Sequence, residues 1–219
     1  MWQNTAGKKI VMALTGAGML GFIAFHLIGN STIYLGRLNA YTARLDSLAL
    51  ILWVVRLVLA ALLVAHVLFG IRLHLENRAA MSSGYAGRKY LGSTLAGRNM
   101  IWTGALVGAF IIYHLLHFTF QVTNPAISSK MNADVLGRPD VAKMVVLSFE
   151  RPAIAAVYIA ALAALALHVS HGVQSLFQSL GLNNDRWLPA FIKTGVIAAI
   201  IAFFGYSAIP VTILARILK

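Results

Sequence analysis

The chain has 219 residues, of which 59% are hydrophobic and 11% charged, and its formal net charge is +12. Soluble domains carry about 25% charged residues, so this composition excludes an ordinary soluble enzyme and is typical of a membrane protein. There is no cysteine, which excludes disulfides, iron–sulfur clusters ligated by this chain and thioether-linked haem.

Five long apolar stretches follow one another along the chain, separated by charged segments. A helix needs about 20 apolar residues to cross the hydrocarbon core, and each stretch supplies that number. Proline suits the first turn of a helix, so we expect the fourth span to begin at Pro152. The sequence predicts an all-α integral membrane protein, a single membrane domain over 1–219, with helices at about 10–36, 48–72, 99–121, 152–178 and 190–216.

Lysine and arginine are divided equally between the two sides of the membrane, nine on each. The positive-inside rule therefore does not decide the orientation by count. The dense basic cluster between Arg72 and Arg98 favours a cytoplasmic N-terminus, in the cell inner (cytoplasmic) membrane. We interpret the basic residues as contacts with lipid headgroups or an acidic partner, and we expect no nucleic acid partner.

Seven histidines occur, and six of them lie within predicted spans: His26, His66, His114, His117, His168 and His171. The seventh, His74, follows Arg72 and is expected at the membrane surface. Ionisable residues inside a membrane are costly and usually functional. A hydrogen-bonded packing histidine is the alternative for any one of them. One histidine on each of the first four helices is harder to explain by packing.

Two short patterns recur in the chain. An aromatic residue, histidine and leucine occur together at His26 and at His114, and the pattern His-Val-x-x-Gly occurs at His66 and at His168. Helices 1 and 2 therefore resemble helices 3 and 4. These short matches favour the first histidine of each closely spaced pair in helices 3 and 4.

The depths of the histidines indicate how they pair. At 1.5 Å per residue, His26 and His114 both lie roughly 25 Å from the N-terminal side of the membrane. His66 lies about 9 Å from that side, and His168 matches it less closely. We therefore predict that the first four helices form a bundle that binds two stacked haems b, with His26 and His114 on one iron and His66 and His168 on the other. Two imidazole ligands leave no open position on haem iron, so the expected chemistry is one-electron transfer.

Other residues of the spans are weaker candidates. Contacts to a haem propionate or a quinone are considered for Arg56, Tyr113, His117 and His171. Snorkelling, or pairing with Asp46 or Glu150, is the alternative for Arg56, and packing is favoured for His117 and His171. Several glycines would admit a flat macrocycle or serve helix packing: Gly16, Gly18, Gly21, Gly70, Gly104, Gly108 and Gly172.

On these residues the chain resembles the dihaem cytochrome b subunit of succinate:quinone oxidoreductases and fumarate reductases, in the five-helix b558-type branch. The resemblance covers almost the whole chain. It is most specific in the stretch His-Val-Ser-His-Gly-Val-Gln-Ser that begins at His168. It implies that His26 and His114 ligate the haem distal to the partner subunits, and that His66 and His168 ligate the proximal haem.

The resemblance also implies partners and a substrate. A flavoprotein subunit would oxidise succinate, an iron–sulfur subunit would pass electrons to this chain, and menaquinone would accept them near the distal haem. The complex would be the unit of any higher oligomer. The chain itself lacks cysteine and a Rossmann glycine fingerprint, so we expect no succinate chemistry and no catalytic residue for it here. Some relatives carry an acidic residue near the histidine of the fourth helix; residues 164–167 are Ala-Leu-Ala-Leu, so that proton path is not expected.

Four alternatives stay open from the sequence. The first is a dihaem cytochrome b of another quinone-linked enzyme, such as a hydrogenase or formate dehydrogenase. The second is a fumarate reductase, which works in the reverse direction. The third is a haem-free proton-coupled transporter with a histidine relay, and the fourth is an anchor that binds quinone without haem.

Overall fold

A computed structural model of the protein describes residues 4–80, 99–182 and 184–219. These residues form seven α-helices: α1 Thr5–Ser31, α2 Leu38–Asp46, α3 Ala49–Ala80, α4 Met100–His114, α5 Val141–Phe149, α6 Pro152–Ser179 and α7 Leu188–Leu214. A π-helical segment, Leu115–Thr119, continues α4. Five helices are long and apolar enough to cross a membrane: α1, α3, α4 with its π-helical continuation, α6 and α7. The prediction of an all-α, multi-pass membrane protein with five spans is confirmed.

The structure differs from the predicted helices at α1, at α3 and between the spans. Helix α1 runs from Thr5 to Ser31, where about 10–36 was predicted. Helix α3 continues past Arg72 to Ala80, because the charged residues of its last turns lie beyond the apolar part of the span and Glu76 pairs with Lys8 of α1. The short helices α2 and α5 were not predicted. Each has only nine residues and contains a charged side chain, so neither has the length or the apolar character of a membrane span. The basic residues predicted between 81 and 98 lie outside the described residues. Helix α6 begins at Pro152, as predicted.

Helices α1 and α6 contact each other, and each of the other spans packs against at least one of them. Helix α1 packs against α3 and α6, α4 packs against α6, and α7 packs against α6 and α1. We call the side of the bundle that holds Lys8 and Glu76 the N-terminal face, and the side that holds α2 and α5 the opposite face. A buried apolar cluster lies at the opposite face, where Phe149, Tyr158 and Ile213 meet.

An ion pair joins α1 to α3 at the N-terminal face. Lys8 is only 3% exposed, and its Nζ lies 2.5 and 2.7 Å from the two carboxylate oxygens of Glu76. Arg72 donates from Nε to the same carboxylate at 3.1 Å. A buried ammonium is costly without a partner, so Glu76 is what permits Lys8 to lie between the helices.

Polar contacts join the two short helices at the opposite face. Asn39 of α2 donates to the Asp140 carboxylate at 2.9 Å and accepts from the Ala142 backbone N–H at 2.8 Å. The loop before α5 is organised by Asp134, which forms an ion pair with Arg138 at 2.6 Å. These contacts join α2 to α5, and the two short helices also pack on the spans, since Leu38 and Phe149 lie in one buried cluster with Tyr158 and Ile213.

The Asp134 loop is expected to loosen in acid. The hydrogen bond from Arg138 holds the pKa of Asp134 at about 2, below the usual value of about 3.9. A depressed folded-state pKa means that the stabilisation is complete above about pH 4 and is lost as the pH falls towards 2. We expect Asp134→Asn to raise backbone hydrogen exchange over residues 133–140 at neutral pH. Unchanged exchange in that variant would show that the carboxylate does not hold the loop.

Candidate functional site

Four histidines from four helices meet in two pairs. The rings of His26 on α1 and His114 on α4 have centroids 6.0 Å apart and an interplanar angle of 86°. The rings of His66 on α3 and His168 on α6 have centroids 6.2 Å apart and an angle of 68°. Each pair therefore joins one helix of the first hairpin to one helix of the second.

The spacing within each pair suits one metal atom between two imidazoles. A metal–imidazole nitrogen bond is about 2 Å long, so two rings that ligate one iron from opposite sides have centroids about 6 Å apart. No group of three or more His, Cys, Asp or Glu side chains in the described part of the chain could hold a free metal ion. Haem needs only two protein ligands, because the porphyrin supplies the other four. The donor sets therefore fit haem b.

The pair nearer the N-terminal face, His66 and His168, has matching hydrogen bonds. Thr15 Oγ1 lies 3.2 Å from His66 Nδ1, and Thr103 Oγ1 lies 3.2 Å from His168 Nδ1. The Thr15 hydroxyl donates to the Val11 carbonyl at 2.8 Å, so its oxygen accepts from His66 Nδ1–H. That tautomer leaves the lone pair on Nε2, the state needed by a metal ligand.

Glycine lets the same helices approach these rings. A Cβ at Gly16 would lie 3.4 Å from His66 Cε1, and one at Gly104 would lie 3.3 Å from His168 Cε1. Both glycines follow the threonines directly in sequence. By contrast, a Cβ at Gly21, Gly108 or Gly172 would meet no atom within 4 Å, which leaves helix surface near the histidines that a flat macrocycle could cover.

These contacts reveal a longer repeat than the one found in the sequence analysis. Residues 12–27 and 100–115 share the pattern Met-x-x-Thr-Gly-Ala-x-x-x-x-Phe-Ile-x-aromatic-His-Leu. The threonines contact the histidine of the following span, and the phenylalanines pack on the histidine of their own helix, with centroid distances of 5.2 Å for Phe22 to His26 and 5.8 Å for Phe110 to His114. Aligning the two helices on their histidines would have found Thr15 and Thr103.

The repeat also sets the depth of the two pairs. His26 lies eleven positions after Thr15, and His114 lies eleven positions after Thr103. At 1.5 Å per residue both helices place the pairs about 16 Å apart along the bundle. His66 and His168 form the pair towards the N-terminal face, and His26 and His114 form the pair towards the opposite face.

A buried histidine–tyrosine contact lies beside the His26–His114 pair. We call this the deeper pair because it lies farther from the N-terminal face. His117 is 4% exposed, and its Nδ1 lies 2.9 Å from the Tyr158 hydroxyl oxygen. In the described residues, His117 Nε2 and His114 Nδ1 are both buried and make no hydrogen bond. His117 stands in the π-helical segment after α4, a distortion that is frequent at functional sites. Tyr158, whose ring centroid is 6.1 Å from that of His114, was not predicted.

The other residues that the sequence singled out lie outside the two histidine pairs. Arg56 is on the exposed side of α3 with its guanidinium 5.2 Å from the Trp53 ring centroid, so the structure does not bring it to the histidine pairs. Tyr113 packs against His117 with ring centroids 5.5 Å apart. His171 is half-buried one turn beyond His168 in α6, and His74 is exposed.

Comparison with family models, curated proteins and solved structures finds no match for this chain.

Proposed function

We propose that the chain is the membrane cytochrome b subunit of a succinate:quinone oxidoreductase and that it holds two haems b. The observation that carries this proposal is the pair of histidine contacts, each spaced for one iron, from four different helices. His66 and His168 would hold the haem nearer the N-terminal face, and His26 and His114 would hold the deeper one. Haem iron with two axial imidazoles supplies one-electron transfer and leaves no position for oxygen or substrate.

The N-terminal face is the proposed docking side for the iron–sulfur subunit, which in turn binds the flavoprotein. The His66–His168 pair is the closer of the two to this face, and the exposed Arg72, Arg78 and Arg186 lie on the same side. A basic surface attracts an acidic partner and orients its approach. With the N-terminus in the cytoplasm, succinate oxidation would take place on that side of the cell inner membrane.

The proposed quinone site lies at His117 and Tyr158. If the Tyr158 hydroxyl donates to His117 Nδ1, the proton of His117 is on Nε2, which is buried and has no acceptor among the described residues. A buried N–H without an acceptor is unfavourable, and a quinone carbonyl oxygen would satisfy it. Reduction of the quinone to the quinol takes two electrons and two protons, and His117 would hold one carbonyl oxygen during this change. The expected quinone is menaquinone.

The separation of the pairs predicts a dependence on membrane potential. Electrons that enter at a cytoplasmic N-terminal face and leave to a quinone at the opposite face move towards the positive side of the membrane. Each charge that crosses the full field changes energy by about 2.3 kcal/mol per 100 mV. We expect an uncoupler to slow menaquinone reduction by succinate in intact cells and to have no such effect in detergent. Turnover in cells that is indifferent to the uncoupler would contradict this arrangement.

Succinate is proposed as the electron source on the sequence resemblance, whereas the histidine geometry supports a dihaem cytochrome b of any quinone-linked dehydrogenase. Membranes from cells with and without this chain separate the candidates. We expect succinate, but neither formate nor hydrogen, to reduce a haem b absorbance that disappears with the chain. Reduction by formate or hydrogen alone would assign the chain to another dehydrogenase, and a chain without haem that moves protons would assign it to the transporters.

A further inference from the structure

We infer that Thr15 and Thr103 are positioning residues that fix the ligand rings of the N-terminal-face pair and set the redox potential of its haem. The inference rests on the proposed function. Its basis is that each threonine oxygen lies 3.2 Å from Nδ1 of one histidine, Thr15 with His66 and Thr103 with His168. A group that accepts from the outer N–H of a ligating imidazole fixes the ring and increases its basicity.

The direction of both hydrogen bonds follows from the threonine hydroxyls themselves. Thr15 donates to the carbonyls of its own helix, with Val11 O at 2.8 Å and Met12 O at 3.1 Å. Thr103 does the same, with Met100 O at 3.1 Å and Asn99 O at 3.2 Å. A hydroxyl has one proton, and the helix takes it in each case. The oxygen is therefore an acceptor for the histidine, and both Nε2 atoms keep their lone pairs.

Burial makes the two threonines partners of these rings in place of water, together with the backbone carbonyls of Met12 beside His66 and Met100 beside His168. Each is 5% exposed, and the glycine that follows each one brings the helix backbone close to the ring, 3.3–3.4 Å from a Cβ built there. The threonine oxygen and the close helix backbone both meet the Nδ1–Cε1 edge of the ring, which leaves the ring little freedom to rotate. Since the arrangement occurs twice, both ligands of one iron would be oriented in the same way.

The second pair differs in this respect. His114 Nδ1 is buried and, within the described ranges, has no hydrogen-bond partner. The threonine contacts are thus specific to the N-terminal-face pair. Stronger donation from both imidazoles favours the oxidised iron, so the two hydroxyls lower the potential of that haem compared with the same site without them.

Isosteric replacement tests this inference. Thr15→Val and Thr103→Val keep the shape of the side chain and remove the hydroxyl acceptor, while the Met12 and Met100 carbonyls stay in place. We expect either variant to raise the midpoint potential of one haem and to alter its low-spin electron paramagnetic resonance signal, with a larger shift in the double variant. The signals of the other haem are expected to stay as in the unaltered protein. Thr15→Ser restores the hydroxyl and is expected to restore the potential.

Thr194→Val is the matched control, because the Thr194 hydroxyl also donates to a carbonyl of its own helix, Ala190 O at 2.9 Å, on the exposed side of α7. Selective loss of one haem in a valine variant, reversed in Thr15→Ser, would support the same role. Unchanged potentials and signals in the double valine variant would overturn it, as would equal changes in both haems. Absence of haem from the unaltered protein would instead overturn the proposed function.

Discussion

Replacing His66 with alanine is expected to leave one haem b per chain, where the unaltered protein holds two. His66 supplies one of the two imidazoles of the N-terminal-face pair, 6.2 Å from His168 between ring centroids. The same replacement at His114 breaks the deeper pair, whose rings are 6.0 Å apart. Because the pairs lie about 16 Å apart along the helices, each variant should lose a different haem and keep the other.

Redox titration of the two variants identifies which haem remains. The midpoint potential that remains in His66→Ala is expected to be absent from His114→Ala. The potential that remains in His114→Ala is expected to be absent from His66→Ala. His74→Ala is the control, since this exposed histidine lies outside both pairs, and it should keep two haems. Loss of the same haem in both variants, or full haem content in either one, would contradict the assignment of the pairs.

Replacing His117 with leucine is expected to impair quinone reduction while both haems remain. Its Nε2 is one of three buried side-chain atoms without a hydrogen-bond partner in the described residues, and Tyr158 supports its ring from Nδ1 at 2.9 Å. Loss of a buried hydrogen bond of this kind costs about 1–3 kcal/mol, which corresponds to roughly a 5- to 150-fold loss of affinity. The measurement is the KM for a soluble menaquinone analogue in the purified complex.

Tyr158→Phe separates the role of the tyrosine hydroxyl from the packing of its ring. The ring stays in the cluster with Phe149, 4.9 Å away between centroids, but the hydrogen bond to His117 is lost. We expect a smaller rise in KM than in His117→Leu, with succinate oxidation by an artificial dye unaffected in both. If His117→Leu reduces the quinone analogue with the KM of the unaltered complex, the site lies elsewhere.

The spans were predictable because lipid restricts what a crossing helix can contain. The apolar stretches supply the required length, and Pro152 begins α6 because proline lacks the N–H that the first turn leaves unpaired. The end of α3 was not predictable from Arg72, because its continuation depends on a carboxylate at Glu76 that meets Lys8 from a different helix. Such a contact joins residues 68 positions apart, which local charge patterns do not reveal.

The histidines of the candidate site were predictable from the sequence, but the partners they meet from other helices were not. Four histidines on four spans are visible in the sequence, and the structure places them in the two pairs described above. Thr15 and Thr103 were overlooked because a hydroxyl residue in a membrane helix ordinarily donates to its own backbone, as both of these do. Tyr158 lies 41 residues from His117, and nothing in its immediate sequence distinguishes it from a packing aromatic.

The most direct test of the account is the haem b content of the purified, unaltered protein, measured together with its reduced-minus-oxidised spectrum. The two histidine pairs predict two haems b per chain, with a haem b absorbance band that titrates at two midpoint potentials. A content of zero or one haem per chain would contradict the assignment of the paired histidines as axial ligands.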